Sequence, residues 1–304
     1  MTENINPYVV SADAHALMEQ WTYVKGLTIP SPSYFIGMDR DLQSNLESFF
    51  GEHVEIIKER ELLKSLNQII ESSSDPIVSM DRTYSQSLDQ SRICGHIDVT
   101  RMVNAKLEGI GLHPRPGFLT YDEQIQNLYS KEVTPITLLD DVIFTGGSMK
   151  DAVIRLEKVN RPVKMVIAGI GIGEGIEEIR AMGIEVKCVR EYKKVIDEVC
   201  ERDFLAGIPL SGRTVRDVDD ELYSAPYIRP FGNPESWATI PKDHVEDFSD
   251  FCLEQSANLW KKIEVLSDTT IPTAMVPRRI YKMGSYSSIV DGLNEVKNSK
   301  KVEA

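Results

Sequence analysis

The segment 136–189 constrains this chain more than any other. A short apolar run, Ile136-Thr137-Leu138-Leu139, leads into Asp140-Asp141, then Val142-Ile143-Phe144, then Thr145-Gly146-Gly147-Ser148. Met149, Ala152, Val153, Leu156 and Val159 recur on one helical face, and Pro162 closes the turn that follows. Residues 163–168 read as a second buried strand, 176–182 as a short helix and 184–189 as a third strand. Strand, helix, strand, helix, strand in this order predicts right-handed crossovers and an α/β fold, with a parallel sheet flanked by helices on both faces.

The same segment points to chemistry. In an open parallel sheet, ligands bind beyond the carboxyl ends of the strands. The first strand delivers two adjacent carboxylates to that end, and a Gly-Gly loop joins it to the next helix. Glycines let backbone approach a ligand closely. The unpaired N–H groups of a helix start, with the helix dipole, favour a phosphate. Thr145 and Ser148 add hydroxyls. Carboxylates repel phosphate and instead suit sugar hydroxyls or Mg²⁺. The expected ligand therefore carries a phosphate, a polyol and a metal ion.

The rest of the chain is less patterned. Helices are expected near Leu17 and Trp21, from Asp39 through Phe50, over 59–70, over about 98–108 and over about 242–266, with a short strand at 77–80. Residues 109–135 are rich in Gly, Pro and polar side chains, and so long an unpatterned stretch in a compact domain reads as a functional or mobile loop. Residues beyond 200 read as irregular up to the late helix, and the last residues as a solvated end. The run Gly169-Ile170-Gly171-Ile172-Gly173-Glu174-Gly175 has G-x-G-x-G-x-G spacing, not the G-x-G-x-x-G of a dinucleotide site. It reads as a glycine-rich strand end beside the ligand. Cys94 and His96 form C-x-H without a second pair at zinc spacing.

Composition narrows the classes. The chain has 304 residues, 34 basic and 47 acidic, for a formal charge of −13. Such an acid excess argues against gripping nucleic acid, which needs a basic face. No apolar run approaches the ~20 residues that span a bilayer. The first residues carry no secretory pattern, and the four cysteines are too sparse for a disulfide scaffold. A cytoplasmic protein with small-molecule substrates, and no nucleic-acid or membrane partner, is the expectation.

The run ITLLDDVIFTGGS closely resembles the phosphoribosyl pyrophosphate signature of type I phosphoribosyltransferases: four mostly apolar residues, two acids, apolar residues, then a Thr-Gly-Gly-Thr-like loop. The resemblance implies that Asp140 and Asp141 hold the ribose hydroxyls and Mg²⁺, and that Phe144, Thr145, Gly146, Gly147 and Ser148 cradle the 5′-phosphate. It places a pyrophosphate loop at Met80-Asp81-Arg82-Thr83, with Arg82 as the donor, although the usual glycine is missing. It places the mobile catalytic loop at 109–135, in or just before which Lys106, Arg115 and Lys131 are the candidate cations and Arg115 ranks first. The implied organisation is a helical N-terminal extension over 1–75 packed on the core, a phosphoribosyltransferase-like core over 76–200, and hood-like loops with a C-terminal helix over 201–304. The implied activity is Mg²⁺-dependent transfer of a 5-phosphoribosyl group between pyrophosphate and a nitrogen acceptor, a nucleobase or related heterocycle. The implied assembly is a homodimer. The alternative is a non-catalytic sensor of the same ligand that regulates a protein partner.

Overall fold

The computed structural model describes residues 6–71, 73–85, 88 and 90–303, with the side chains of 300–303 left aside. In chain order the elements are β1 (Tyr8–Ala12), α1 (Ala14–Lys25), α2 (Pro32–Phe50), β2 (Val54–Lys58), α3 (Glu59–Glu71), β3 (Ile77–Ser79), β4 (Ile93–His96), β5 (Val99–Asn104), β6 (Gly109–Pro114) and α4 (Tyr121–Asn127). Then come β7 (Ile136–Ile143), α5 (Gly147–Glu157), β8 (Val163–Ile172), α6 (Gly173–Arg180), β9 (Glu185–Tyr192), β10 (Asp197–Cys200), β11 (Arg213–Arg216), β12 (Leu222–Ala225), α7 (Pro234–Trp237), α8 (Val245–Ser267) and α9 (Ile289–Glu303).

The chain divides into two compact units. One contains Lys58–Thr100 and Leu112–Val195, and the other the residues up to Ile57, Arg101–Gly111 and those from Ile196 on. These limits differ from sequence boundaries at 75/76 and 200/201. The reason lies in α3: Leu62, Leu66 and Ile70 make one buried face, and the Leu62 methyl lies beside Gly169 of β8. That face ties 58–71 to the parallel sheet rather than to the residues before it.

The first unit is the expected α/β layer. Its five strands run in the order β4-β3-β7-β8-β9, and every neighbouring pair is parallel. β7 and β8 are buried on both faces and read as near-continuous apolar runs, as the middle of a parallel sheet requires. One core gathers Val78, Leu138, Val166 and Val186 of the sheet with Met149, Val153 and Leu156 of α5 and Ile176 and Ile179 of α6. Alternation along β7 sends Thr137 and Leu139 to the opposite side.

The other unit has its own core, built on Tyr8, Leu46, Phe204, Phe231, Phe248, Trp260 and Ile263. The remaining strands form a three-stranded sheet β10-β1-β2 and a four-stranded sheet β12-β11-β5-β6. The helix expected over 98–108 is instead β5 and a tight turn. Its apolar residues Met102 and Val103 are adjacent and β5 pairs in parallel with β11, so β-branched packing there overrides a helix-like spacing. The stretch expected to be irregular beyond 200 contains β11 and β12, paired antiparallel. The last helix is α9, whose Ile289, Leu293 and Val296 are buried, while Asn298 and Ser299 near its end are exposed, as expected of a solvated end.

Candidate functional site

The loop after β7 is built to present amides. Gly146 caps α5 in the left-handed region at φ 79°. Lys150 is the residue whose N–H closes the first helical turn, donating to the Gly146 carbonyl at 2.8 Å. The amides before it, at the helix start, have no carbonyl one turn back to bond. Thr145 and Gly147 are exposed and Ser148 is half-buried, so hydroxyls and amides share one open edge.

This loop is seated on α6. A Cβ added at Gly175 would lie 2.3 Å from the Phe144 carbonyl oxygen and 2.9 Å from the Gly146 nitrogen. Only glycine allows backbone to approach backbone this closely. The glycine-rich stretch 169–175 thus closes β8, opens α6 and supports the loop, and an ion pair of Lys150 with Glu178 ties α5 to α6. The role of Gly175 was hidden in the sequence, where its glycine is one of four at equal spacing.

Asp140 and Asp141 stand at the loop end of β7. Asp141 N–H donates to Asp140 Oδ1 at 3.1 Å, and Val142 N–H to Asp141 Oδ1 at 2.8 Å. Burial pushes the Asp140 carboxyl well above the ordinary carboxylate range, and the charges of Asp141 and Asp81 push it the same way. Asp140 keeps some residue surface open, so a ligand can reach what burial makes reactive.

The next strand end supplies the third acid. Met80 N–H donates to the Leu139 carbonyl at 2.8 Å, which sets the residues after β3 beside those acids. Asp81 is buried and does not face outward. Its carboxylate accepts from Thr83 N–H at 2.9 Å, Tyr84 N–H at 2.5 Å and Ser85 N–H at 3.3 Å. Ser79 and Ser85 hydroxyls donate to the Asp81 carbonyl at 2.8 and 2.7 Å. The Asp81 carboxylate holds the amides of the turn, and two serine hydroxyls hold its carbonyl.

Arg82 is committed to Asp98. Its Nε and Nη2 reach the two carboxylate oxygens at 2.6 and 2.5 Å, and its guanidinium lies 5.4 Å from the Phe118 ring centre. Asp98 is a hub: Arg115 N–H donates to its carbonyl at 2.9 Å, and its own N–H donates to Gln124 Oε1 at 2.5 Å. His96 lies beside this pair, and burial with the Arg82 charge lowers its pKa against the opposing pull of Asp98. Neither Asp98 nor Gln124 stood out in the sequence, because a lone acid and a lone amide carry no spacing signal.

The stretch 109–135 is more ordered than its composition suggests. It contains β6 and α4, and α4 opens on a capping box in which Thr120 and Glu123 satisfy each other's backbone N–H groups. Arg115 sits in the turn after β6 and is half-buried. Lys131 is exposed, and Lys106 occupies the tight turn between β5 and β6, its N–H bonded to Asn104 Oδ1 at 2.9 Å.

Among the described residues no three His, Cys, Asp or Glu side chains converge as a metal-binding group. The acids nonetheless fit a hard cation chemically: burial first, and then the charges of Asp141 and Asp81, hold the Asp140 carboxyl up, and a divalent ion would offset that unfavourable charge. Among the described residues no helix is long and apolar enough to cross a membrane.

No protein-family model and no curated protein matches the chain. Among solved structures it is similar to an adenine phosphoribosyltransferase from Thermoanaerobacter pseudethanolicus, at 12% identity and a TM-score of 0.32, covering 44% of this chain and 79% of that one. It is similar to an orotate phosphoribosyltransferase from Aeropyrum pernix, at 16% identity and a TM-score of 0.28, covering 43% and 67%. A third is the Mycobacterium tuberculosis orotate phosphoribosyltransferase in complex with 5-phospho-alpha-D-ribosyl 1-diphosphate, at 13% identity and a TM-score of 0.29, covering 43% and 70%. Values this low assign no family.

Proposed function

We propose that the unit containing β7 is a phosphoribosyltransferase-type site. It holds a 5-phosphoribosyl group and transfers it between a group at the anomeric carbon and a nitrogen acceptor, a nucleobase or related heterocycle. The observation that carries this reading is the pairing of Asp140 and Asp141 with the open amides that follow Gly146 on one strand-to-helix turn. The Gly147 and Ser148 amides, with the Thr145 and Ser148 hydroxyls, bind the 5′-phosphate at the helix start. The two carboxylates accept from the ribose hydroxyls, charge-assisted bonds that also fix which face of the sugar is presented. Asp140 and Asp141 are the residues that would hold Mg²⁺, which when bound supplies positive charge beside the ribose and the departing group.

Substitution at an anomeric carbon develops positive charge on the ring. Asp140 and Asp141, carboxylates fixed beside the sugar, stabilise that charge without reorganising, and orientation of the bound ribose supplies the rest. A second reading, a non-catalytic sensor of 5-phosphoribosyl ligands, is favoured by one observation: Arg82 and Asp81, in the loop after β3 where a leaving group would be gripped, are engaged by the chain itself.

The test is incubation with Mg²⁺ and two donor classes, a nucleoside 5′-monophosphate and phosphoribosyl pyrophosphate, against a panel of bases. Release of free base or formation of a new nucleotide supports transfer. Binding without turnover moves the protein to the sensor reading, and absence of binding by any 5-phosphoribosyl compound removes both. Mg²⁺ binding is read separately, as a Mg²⁺-dependent thermal shift that the Asp140→Asn/Asp141→Asn variant loses.

A further inference from the structure

We infer that the subsite beside the ribose, on the β3 side, takes an uncharged or cationic group and excludes a diphosphate, because Asp81 already fills the anion position of that loop. The inference rests on the 5-phosphoribosyl reading above and names the ligand class of that same site. Three successive amides, from Thr83, Tyr84 and Ser85, converge on one point after β3. Convergent N–H groups in such a turn form a concavity for an anion. Here that anion is the chain's own carboxylate, buried at 5% exposure.

A diphosphate arriving there would find the donors taken. It would also approach Asp140 and Asp141, which the Met80–Leu139 hydrogen bond sets on the neighbouring strand end. Arg82, the cation of that loop, has its Nε and Nη2 on Asp98, and a divalent ion on Asp140 and Asp141 would offset their charge without freeing the three amides. Like charges at this range repel, most strongly where water is scarce. A neutral heterocycle or an amine meets no such barrier, and a partly positive edge would be attracted. The 5-phosphoribosyl ligand of this site is therefore of the nucleoside monophosphate kind, with its only phosphate in the loop after β7.

Isothermal titration calorimetry on the full chain, with and without Mg²⁺, tests this using ribose 5-phosphate, adenosine 5′-monophosphate, phosphoribosyl pyrophosphate and inorganic pyrophosphate. The expected result is that the two monophosphates bind, that pyrophosphate alone gives no heat, and that phosphoribosyl pyrophosphate gains less than about tenfold over ribose 5-phosphate. A larger gain, or binding of pyrophosphate by itself, overturns the inference while leaving the 5-phosphoribosyl reading intact. No binding of any of the four overturns that reading too. Asp81→Ala vacates the amides and should raise phosphoribosyl pyrophosphate affinity by about tenfold, at unchanged ribose 5-phosphate affinity. A folded variant without that gain contradicts the role given to Asp81, and if the variant does not fold the wild-type series decides alone.

Discussion

Two loops of the same sheet can be set side by side. After β7, Thr145-Gly146-Gly147-Ser148 leaves its amides open at a helix start, and the nearest acids, Asp140 and Asp141, precede the loop. After β3, Asp81-Arg82-Thr83-Tyr84-Ser85 turns as tightly, but an acid inside the loop takes up the amides. Both loops stand at carboxyl ends of neighbouring parallel strands, where the fold places ligands. The difference is one side chain with a reach of two bonds. It teaches that position in the fold offers an anion site, and that local sequence decides whether a ligand or the protein itself occupies it.

The comparison can be broken from either side. The largest effect is expected at Gly175, where a methyl group would meet two backbone atoms of the β7 loop. Gly175→Ala should cost about 3 kcal/mol of stability, the upper end for overpacking a site that cannot give, and should abolish ribose 5-phosphate binding. Chemical denaturation and calorimetry on the folded fraction check both. Next is the β3 side: Asp98→Ala strips Arg82 of its partner and should cost about 2 kcal/mol, less than a fully buried pair because the Arg82 side chain is 30% exposed. Ribose 5-phosphate affinity should stay unchanged, because that loop supports structure and does not bind the phosphate. A smaller effect is expected from Thr145→Ala/Ser148→Ala, which leaves the amides in place and should weaken binding by about tenfold.

The smallest effect is on stability and depends on pH. The Asp140 carboxyl is raised in the folded state, so the folded chain holds a proton that the unfolded chain releases at lower pH. Its contribution is fully present below the unfolded carboxylate range, near pH 4, and is lost as pH rises through the folded value. Asp140→Asn should therefore melt higher than wild type at pH 7 in a metal-free buffer, by a few degrees at about 1 kcal/mol, with the gap shrinking toward pH 4. Differential scanning calorimetry at several pH values shows the trend. A variant that melts lower at pH 7 contradicts the burial argument.

Much of the parallel sheet was legible in the sequence because β7, α5, β8, α6 and β9 each follow one period and are separated by Gly, Pro or acids. The flanking unit was not, for physical reasons. Met102 and Val103 sit at a spacing that suits helix and strand alike, and only their partner, Thr214–Arg216 of β11 more than a hundred residues on, decides between them. Turn chemistry hid α4: the Gly and Pro residues around it suggest a loop, while Thr120 and Glu123 form a helix cap within it. At the candidate site, Asp140-Asp141 and the Thr145-Gly146-Gly147-Ser148 loop were readable as one contiguous motif. The commitment of Arg82 to Asp98, sixteen residues away, and of Asp81 to its own turn were not, because both depend on how the chain closes.

The central claim is that the turn joining β7 to α5 holds a 5-phosphoribosyl group. Calorimetric titration of ribose 5-phosphate into the wild-type chain and into Asp140→Asn/Asp141→Asn tests it most directly. Two charge-assisted bonds to the ribose together are worth about 3 kcal/mol, so the account predicts one-to-one binding to wild type and a loss of about a hundredfold in the double variant. Equal affinity in the two proteins, or no binding to the folded wild type, would contradict it.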